Sequence, residues 1–226
     1  MKRKKAVILL SGGLDSTTVL FMARRWGYKT WCLIFDYGQR HKKEIKAAKR
    51  IAGICRCDYE LVKFKLPWGG SSLLDGATRK AKIPQDRSLK RIGGQIPSTY
   101  VPGRNTIFIS FGFSYAERLG AEAVFIGANS VDFSGYPDCR PEYFRCFEKL
   151  AQKGITKKGI DIRVPLLRKN KAEIIATGKS LSVPYELTWS CYYGGGKPCL
   201  RCDACQLRQK GFTESGFPDP LLAYKK

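Results

Sequence analysis

The chain has 226 residues, of which 43% are hydrophobic and 27% charged, so neither a disordered chain nor a membrane-embedded one is expected; the length suits one main domain with a small appendage. The formal charge of +22 favours encounter with polyanions. Its basic residues are scattered along the sequence, which points to a solvated basic surface; direct nucleic-acid binding is not expected, though a nucleic-acid partner stays open as an alternative.

Lys2 to Lys5 precede only a short apolar run, Ala6 to Leu10, below the length of a signal-peptide core or a membrane span, so a cytoplasmic protein is expected. Lys5 to Leu10 reads as a buried strand, and Thr18 to Trp26 as a helix that Gly27 ends. Trp31 to Phe35 is a second strand. Lys42 to Cys55 is a second helix with Ile45, Ala48 and Ile51 on one face, and Tyr59 to Phe64 a third strand. Residues 66–100 break this rhythm with Gly, Ser, Pro and scattered charge; a connection this long inside a domain reads as a lid. Ile107 to Leu119 is a helix after the "VPGRNT" turn, and Ala123 to Gly127 a fourth strand. Pro141 opens a helix whose apolar side is Phe144, Phe147 and Leu150. Ile160 to Val164 is a fifth strand and Lys171 to Leu181 a last helix. Alternating strands and helices of this length predict an α/β fold, Rossmann-like, with a parallel sheet and helices on both faces. Residues 1–187 form that domain, and residues 188–226 a small C-terminal segment dominated by cysteine and glycine.

A strand-to-helix turn at Ser11, Gly12 and Gly13 presents backbone N–H groups to one point, where the helix dipole adds positive charge. Glycines allow close approach of an anion, and Ser16, Thr17 and Thr18 add hydroxyl donors; the plainer alternative is a tight turn whose hydroxyls cap the helix. "TGKS" at 177–180 looks like the end of a Walker A loop but lacks the required upstream glycine, since Glu173 stands there. It reads as a surface helix.

Nine cysteines without an export signal read as reduced thiols. Cys191, Cys199, Cys202 and Cys205 follow C-x7-C-x2-C-x2-C around a glycine-rich turn, which suits a closed structural zinc site; an iron–sulfur cluster is the rival. Cys32, Cys55, Cys57, Cys139 and Cys146 read as buried small hydrophobes. His41, the single histidine, makes a poor ligand candidate.

The string S-G-G-L-D-S resembles the pyrophosphate loop of the ATP-dependent adenylating ligases, which include GMP, NAD and asparagine synthetases and tRNA-thiolating enzymes. With "FDYGQRH", "VPGRN", "DFSGYPDCRPE", "TWSCYYGGGKPCLRCDAC" and "LRQKGF", the chain is similar to the 7-cyano-7-deazaguanine synthase family. The resemblance implies an ATP loop of Leu10, Ser11, Gly12, Gly13, Leu14, Asp15, Ser16, Thr17, Thr18, Val19 and Leu20, with attack at the α-phosphorus and AMP as leaving group. It implies 7-carboxy-7-deazaguanine, ammonia and ATP as substrates, adenylated acid and amide intermediates, and a homodimer. Asp15 is the magnesium-linked carboxylate, and Arg104 and Lys171 would stabilise phosphate charge, all three catalytic; the two basic residues read equally as surface groups. Tyr136, Asp138, Arg140 and Glu142 are expected at the substrate, with Asp138 accepting from a guanine-like edge and Arg140 facing a carboxylate; a turn and helix cap is the alternative. Ammonia would be free, because no Cys–His glutaminase is apparent. Leu200 departs from the family pattern, where glycine is expected inside the cysteine cluster. A tRNA-thiolating adenylase and a zinc-ribbon nucleic-acid module remain as alternative readings.

Overall fold

The computed structural model describes residues 3–74, 82–89, 92, 96–130, 135–156 and 158–223. The other parts of the expected lid, residues 75–81, 90–91 and 93–95, lie outside the described residues, as do 132–134 of the "DFSGYPDCRPE" block. Five strands form the sheet: β1 (Lys5–Leu9), β2 (Lys29–Asp36), β3 (Tyr59–Lys63), β4 (Ala123–Phe125) and β5 (Asp161–Arg163). Every pairing is parallel, in the order β3-β2-β1-β4-β5, so the direction of winding reverses between β1 and β4. A crevice opens at the carboxyl ends of strands at such a reversal.

Strand side chains alternate between the faces. Ala6, Ile8, Cys32 and Ile34 pack against α1 (Leu14–Arg25), α2 (Lys43–Ile54) and α5 (Lys171–Ser180). Val7, Leu9, Leu33 and Phe35 pack against α3 (Arg104–Leu119) and α4 (Pro141–Gly154). Both faces are covered, as the alternating pattern predicts. The tail adds α6 (Asp203–Glu214), packed on α5, and the short α7 (Pro220–Ala223).

Three expectations are corrected. Arg104 to Thr106 are not a turn but the first helical turn of α3, because Gly103, at φ +63°, reverses the chain just before them. Leu150 is 69% exposed. At helical spacing Ala151, seven residues after Phe144, returns to the buried face with Phe147, whereas Leu150 does not. Cys146, on the side of α4 away from Phe144, is exposed rather than buried. The "TGKS" stretch lies in α5, and its glycine serves packing: a Cβ on Gly178 would stand 1.8 Å from the hydroxyl of the fully buried Tyr185. No described helix is long and apolar enough to cross a membrane.

Candidate active site and metal centre

The loop between β1 and α1 is fixed from both sides. Leu10 N–H donates to the Leu33 carbonyl at 2.8 Å, continuing the sheet, and Trp189 N–H of the tail donates to the Gly12 carbonyl at 3.0 Å. Gly12, at φ +80°, lies so close to α2 that a Cβ would sit 2.4 Å from the Glu44 carbonyl oxygen and 2.5 Å from Ala48 N. Only glycine fits there. Ser11 Oγ and Ser16 Oγ share a hydrogen bond at 2.9 Å, and Gly13 N–H donates to Ser11 Oγ at 3.3 Å. Thr17 and Thr18 turn their hydroxyls back to the carbonyls of Gly13 and Leu14, at 2.7 and 2.9 Å. The loop therefore offers Ser11, Gly13 and the first-turn N–H groups of α1, which have no intrahelical acceptors, to an anion. Val19 and Leu20 are wholly buried and anchor α1 to the core.

Asp15, in that first turn, meets α5. An Asn170–Glu173 capping box starts α5, with Asn170 Oδ1 accepting from Glu173 N at 2.9 Å and Glu173 Oε2 from Asn170 N at 2.8 Å. Lys171, the next residue, then places Nζ 2.8 Å from each Asp15 oxygen, while Asn129 Nδ2 donates to Asp15 Oδ2 at 3.2 Å.

A cavity of about 280 Å³ opens at the β1/β4 reversal. Ser11, Gly13, Asp15, Ser16 and Lys171 line one end. Tyr37, Arg104, Asn105, Phe108 and Tyr136 line another, and Trp189, Tyr192 and Arg208 come from the tail. Arg104 Nη1 donates to Tyr37 Oη at 3.4 Å, and its guanidinium lies 5.9 Å from the Phe108 ring centre. Arg104 Nε is buried and has no hydrogen-bond partner, which leaves one charged donor free for a bound group. Burial raises the Glu44 carboxyl on the cavity wall to about 7, against the pull of Arg104.

The four cysteines of the tail bring their sulfurs within 4.8 Å of one another, the only such ligand group among the described residues. Backbone N–H groups of Tyr193 and Cys199 both donate to Cys191 Sγ at 3.3 Å, and Cys202 N–H donates to Cys199 Sγ at 3.3 Å. Four convergent sulfurs with N–H donors around them fit a tetrahedral thiolate-bound divalent ion. Leu200, inside this cluster, takes φ +61° with its side chain exposed, so the loop keeps a left-handed geometry that glycine adopts without strain.

A match to the family described as Queuosine biosynthesis protein QueC runs over residues 5–216. The chain belongs to the QueC family. Among its relatives, a 7-cyano-7-deazaguanine synthase of Anaeromyxobacter sp. (strain Fw109-5) is 49% identical, covering 99% of this chain and 97% of that protein. One of Thermoplasma volcanium is 52% identical over 96% of this chain and 90% of its own length. Another, of Trichodesmium erythraeum, is 49% identical over 96% of this chain and its whole length.

In this QueC-family chain the four expected substrate residues separate. Tyr136 lines the cavity, its ring 5.7 Å from that of Tyr100. Asp138 is buried behind it, with Oδ2 accepting from Asn105 N at 3.0 Å at the start of α3; burial raises its carboxyl above the ordinary carboxylate value. Arg140 and Glu142 are exposed at the start of α4, outside the cavity lining. The sequence reading assigned no role to Tyr37, Asn105, Phe108, Asn129, Trp189 or Arg208. Arg208 is 5% exposed, with its guanidinium on Asp219 at 2.7 and 2.8 Å and on Thr188 Oγ1 at 2.7 Å. Its block, "LRQKGF", carried the signal, but nothing in sequence spacing reveals that α6 folds back onto the loop.

Proposed function

We propose that the chain converts 7-carboxy-7-deazaguanine, ammonia and ATP to 7-cyano-7-deazaguanine, a nitrile precursor in queuosine or archaeosine formation. Near-full-length kinship with proteins of that name carries the reading, and the loop and cavity support it.

A carboxylate has only oxide to lose, so its oxygen first attacks the α-phosphorus of ATP and pyrophosphate departs. The loop N–H groups of α1, Ser11 and Ser16 hold that pyrophosphate, and Lys171 and Arg104 bear on the negative charge that develops. Ammonia then adds to the acyl carbon and AMP leaves, giving the amide. The amide oxygen attacks a second ATP, pyrophosphate leaves again, and loss of two N–H protons with AMP gives the nitrile. Both rounds use one cavity.

Asp15 would hold magnesium shared with the phosphates, an ion that screens their charge; here Lys171 occupies its oxygens and would turn toward the nucleotide. Cys191, Cys199, Cys202 and Cys205 would hold structural zinc, with no open position for chemistry. Tyr136 and Asn105, with Asp138 fixing the latter, would meet the deazaguanine, and Arg104 Nε its carboxylate; their lining of the cavity and the unpartnered Nε support this reading. Arg140 and Glu142, exposed outside the cavity lining, would reach it only if the start of α4 moved inward. Leu73 and Thr99, from the 66–100 segment, line the cavity, which supports that segment as its cover, excluding water from the adenylate. We read residues 1–187 and 188–226 as nucleotide domain and zinc segment of a cytoplasmic homodimer, with reduced thiols in keeping; light scattering on the purified protein tests the dimer.

Chromatography of the nucleotides tests the α-phosphate chemistry. AMP and pyrophosphate should form only when acid and ammonium are both present at turnover; ADP and phosphate would refute it.

A further inference from the structure

A second cavity, of about 360 Å³, lies at the amino end of the sheet, opposite the ATP loop. Cys55 and Cys57 line it together with Arg24, Thr30, Arg56 and Asp58. Cys57 sits just before β3 beside Thr30 of β2, and its sulfur accepts from Arg24 and shares a hydrogen bond with the Thr30 hydroxyl. Arg24 Nη1 is 3.2 Å away and Thr30 Oγ1 3.1 Å. Arg24 also donates to the Cys55 carbonyl, so one guanidinium spans both cysteines. The neighbouring Cys32 and Cys55 thiols, with Thr30 and Arg24, draw the Cys57 thiol down against the effect of burial, while Cys55 and Cys32 are raised and keep their protons. Cys32 is wholly buried beneath the strands and does not line the cavity. Cys55 lies on the cavity wall, separated from Cys57 only by Arg56, whose φ of +48° turns the chain sharply between them.

We propose that Cys57 is a peroxide-reactive thiolate that closes a disulfide with Cys55. The Cys57 sulfur attacks one oxygen of a hydroperoxide, the O–O bond breaks, and hydroxide or alkoxide leaves with a proton from solvent. Sulfur is oxidised to the sulfenic acid and the peroxide is reduced. The Cys55 sulfur then attacks the Cys57 sulfur, its proton passing to the displaced hydroxide, which leaves as water. Arg24 stabilises the attacking thiolate. This pair is remote from the zinc ligands and from the ATP loop.

Hydrogen peroxide is applied to the zinc-loaded protein, remaining thiols are alkylated, and tryptic peptides are weighed. Trypsin cuts after Arg56, so a Cys55–Cys57 disulfide holds peptides 51–56 and 57–63 together, two hydrogens lighter than their sum, until a reductant parts them. That linked pair is expected while zinc stays bound. Cys55→Ser should yield no link but a Cys57 sulfenic acid that dimedone traps, and Cys57→Ser neither product; circular dichroism confirms that both variants fold. Free Cys57 after peroxide treatment, linkage of Cys57 to the peptide carrying Cys32, or oxidation only after zinc release would each overturn the proposal.

Discussion

Lys171 Nζ stands 2.8 Å from both carboxylate oxygens of Asp15, tying the first residue of α5 to the first turn of α1 beside the β1–α1 loop. Both side chains are partly shielded, with 13% and 24% exposed. If Lys171 serves the phosphates, Lys171→Ala should lower the turnover number about 10²- to 10³-fold, the scale of losing one preorganised charge donor. Its melting temperature should stay near that of the parent, because Asn129 still donates to Asp15. Steady-state kinetics and a thermal melt on the same sample check this.

Gly12 and Gly13 should separate packing from ligand approach. Gly12→Ala forces a Cβ into the backbone of α2 at positive φ and should cost about 2 to 6 kcal/mol, read as a large fall in melting temperature. Gly13, at φ −79°, has only the Ser11 hydroxyl at 3.3 Å beside its missing Cβ. Gly13→Ala should fold normally and raise the KM for ATP.

The metal centre should hold the segment 82–89 in place. Asp86 N–H donates to the Arg201 carbonyl at 2.9 Å, Arg87 pairs with Asp203 at 2.6 and 3.1 Å, and Tyr193 Oη donates to the Ile83 carbonyl at 3.4 Å. Those three partners flank the cysteines. Cys202→Ala should lose the bound zinc and quicken tryptic cleavage after Arg87, whereas Arg87→Ala should keep the zinc and quicken cleavage at Lys82. Unchanged cleavage in both would show the two regions to be independent.

Leu200 carries strain that glycine would not. A left-handed non-glycine residue costs roughly 1 to 2 kcal/mol, and glycine returns about 0.5 to 1 kcal/mol of that in chain entropy. Leu200→Gly should therefore stabilise by about 0.5 to 1 kcal/mol, a rise of about 1 to 4 °C in melting temperature, with zinc content unchanged. Its 43% exposure means that little packing is lost.

Local periodicity carried the fold: the strand cores and the stripe of Ile45, Ala48 and Ile51 stand where their spacing puts them. Leu150 and Cys146 show the limit, because apolar character near a stripe does not reveal which side of the turn a residue occupies. The glycine turn between β1 and α1 and the convergence of the four cysteines were legible since each is contiguous and chemically distinctive. Of the remaining cavity wall, Arg104, Lys171 and Tyr136 were expected at the site, but Tyr37, Asn105, Phe108, Trp189 and Arg208 were not. Lys171 reaches Asp15 across 156 positions, and Trp189 reaches Gly12 through its backbone N–H, which no side-chain pattern encodes. Tyr136, Asp138, Arg140 and Glu142 were expected together at the substrate, yet the turn at Pro137–Cys139 buries Asp138 and leaves Arg140 and Glu142 exposed.

The most direct test is mass spectrometry of a reaction containing the zinc-loaded protein, 7-carboxy-7-deazaguanine, ammonium, magnesium and ATP, with AMP counted alongside. Conversion of the acid to the nitrile through a transient amide, with two AMP formed per nitrile, is expected. Acid and ATP returned unchanged by folded, metal-replete protein, or an amide that never proceeds to nitrile, would contradict the proposed function.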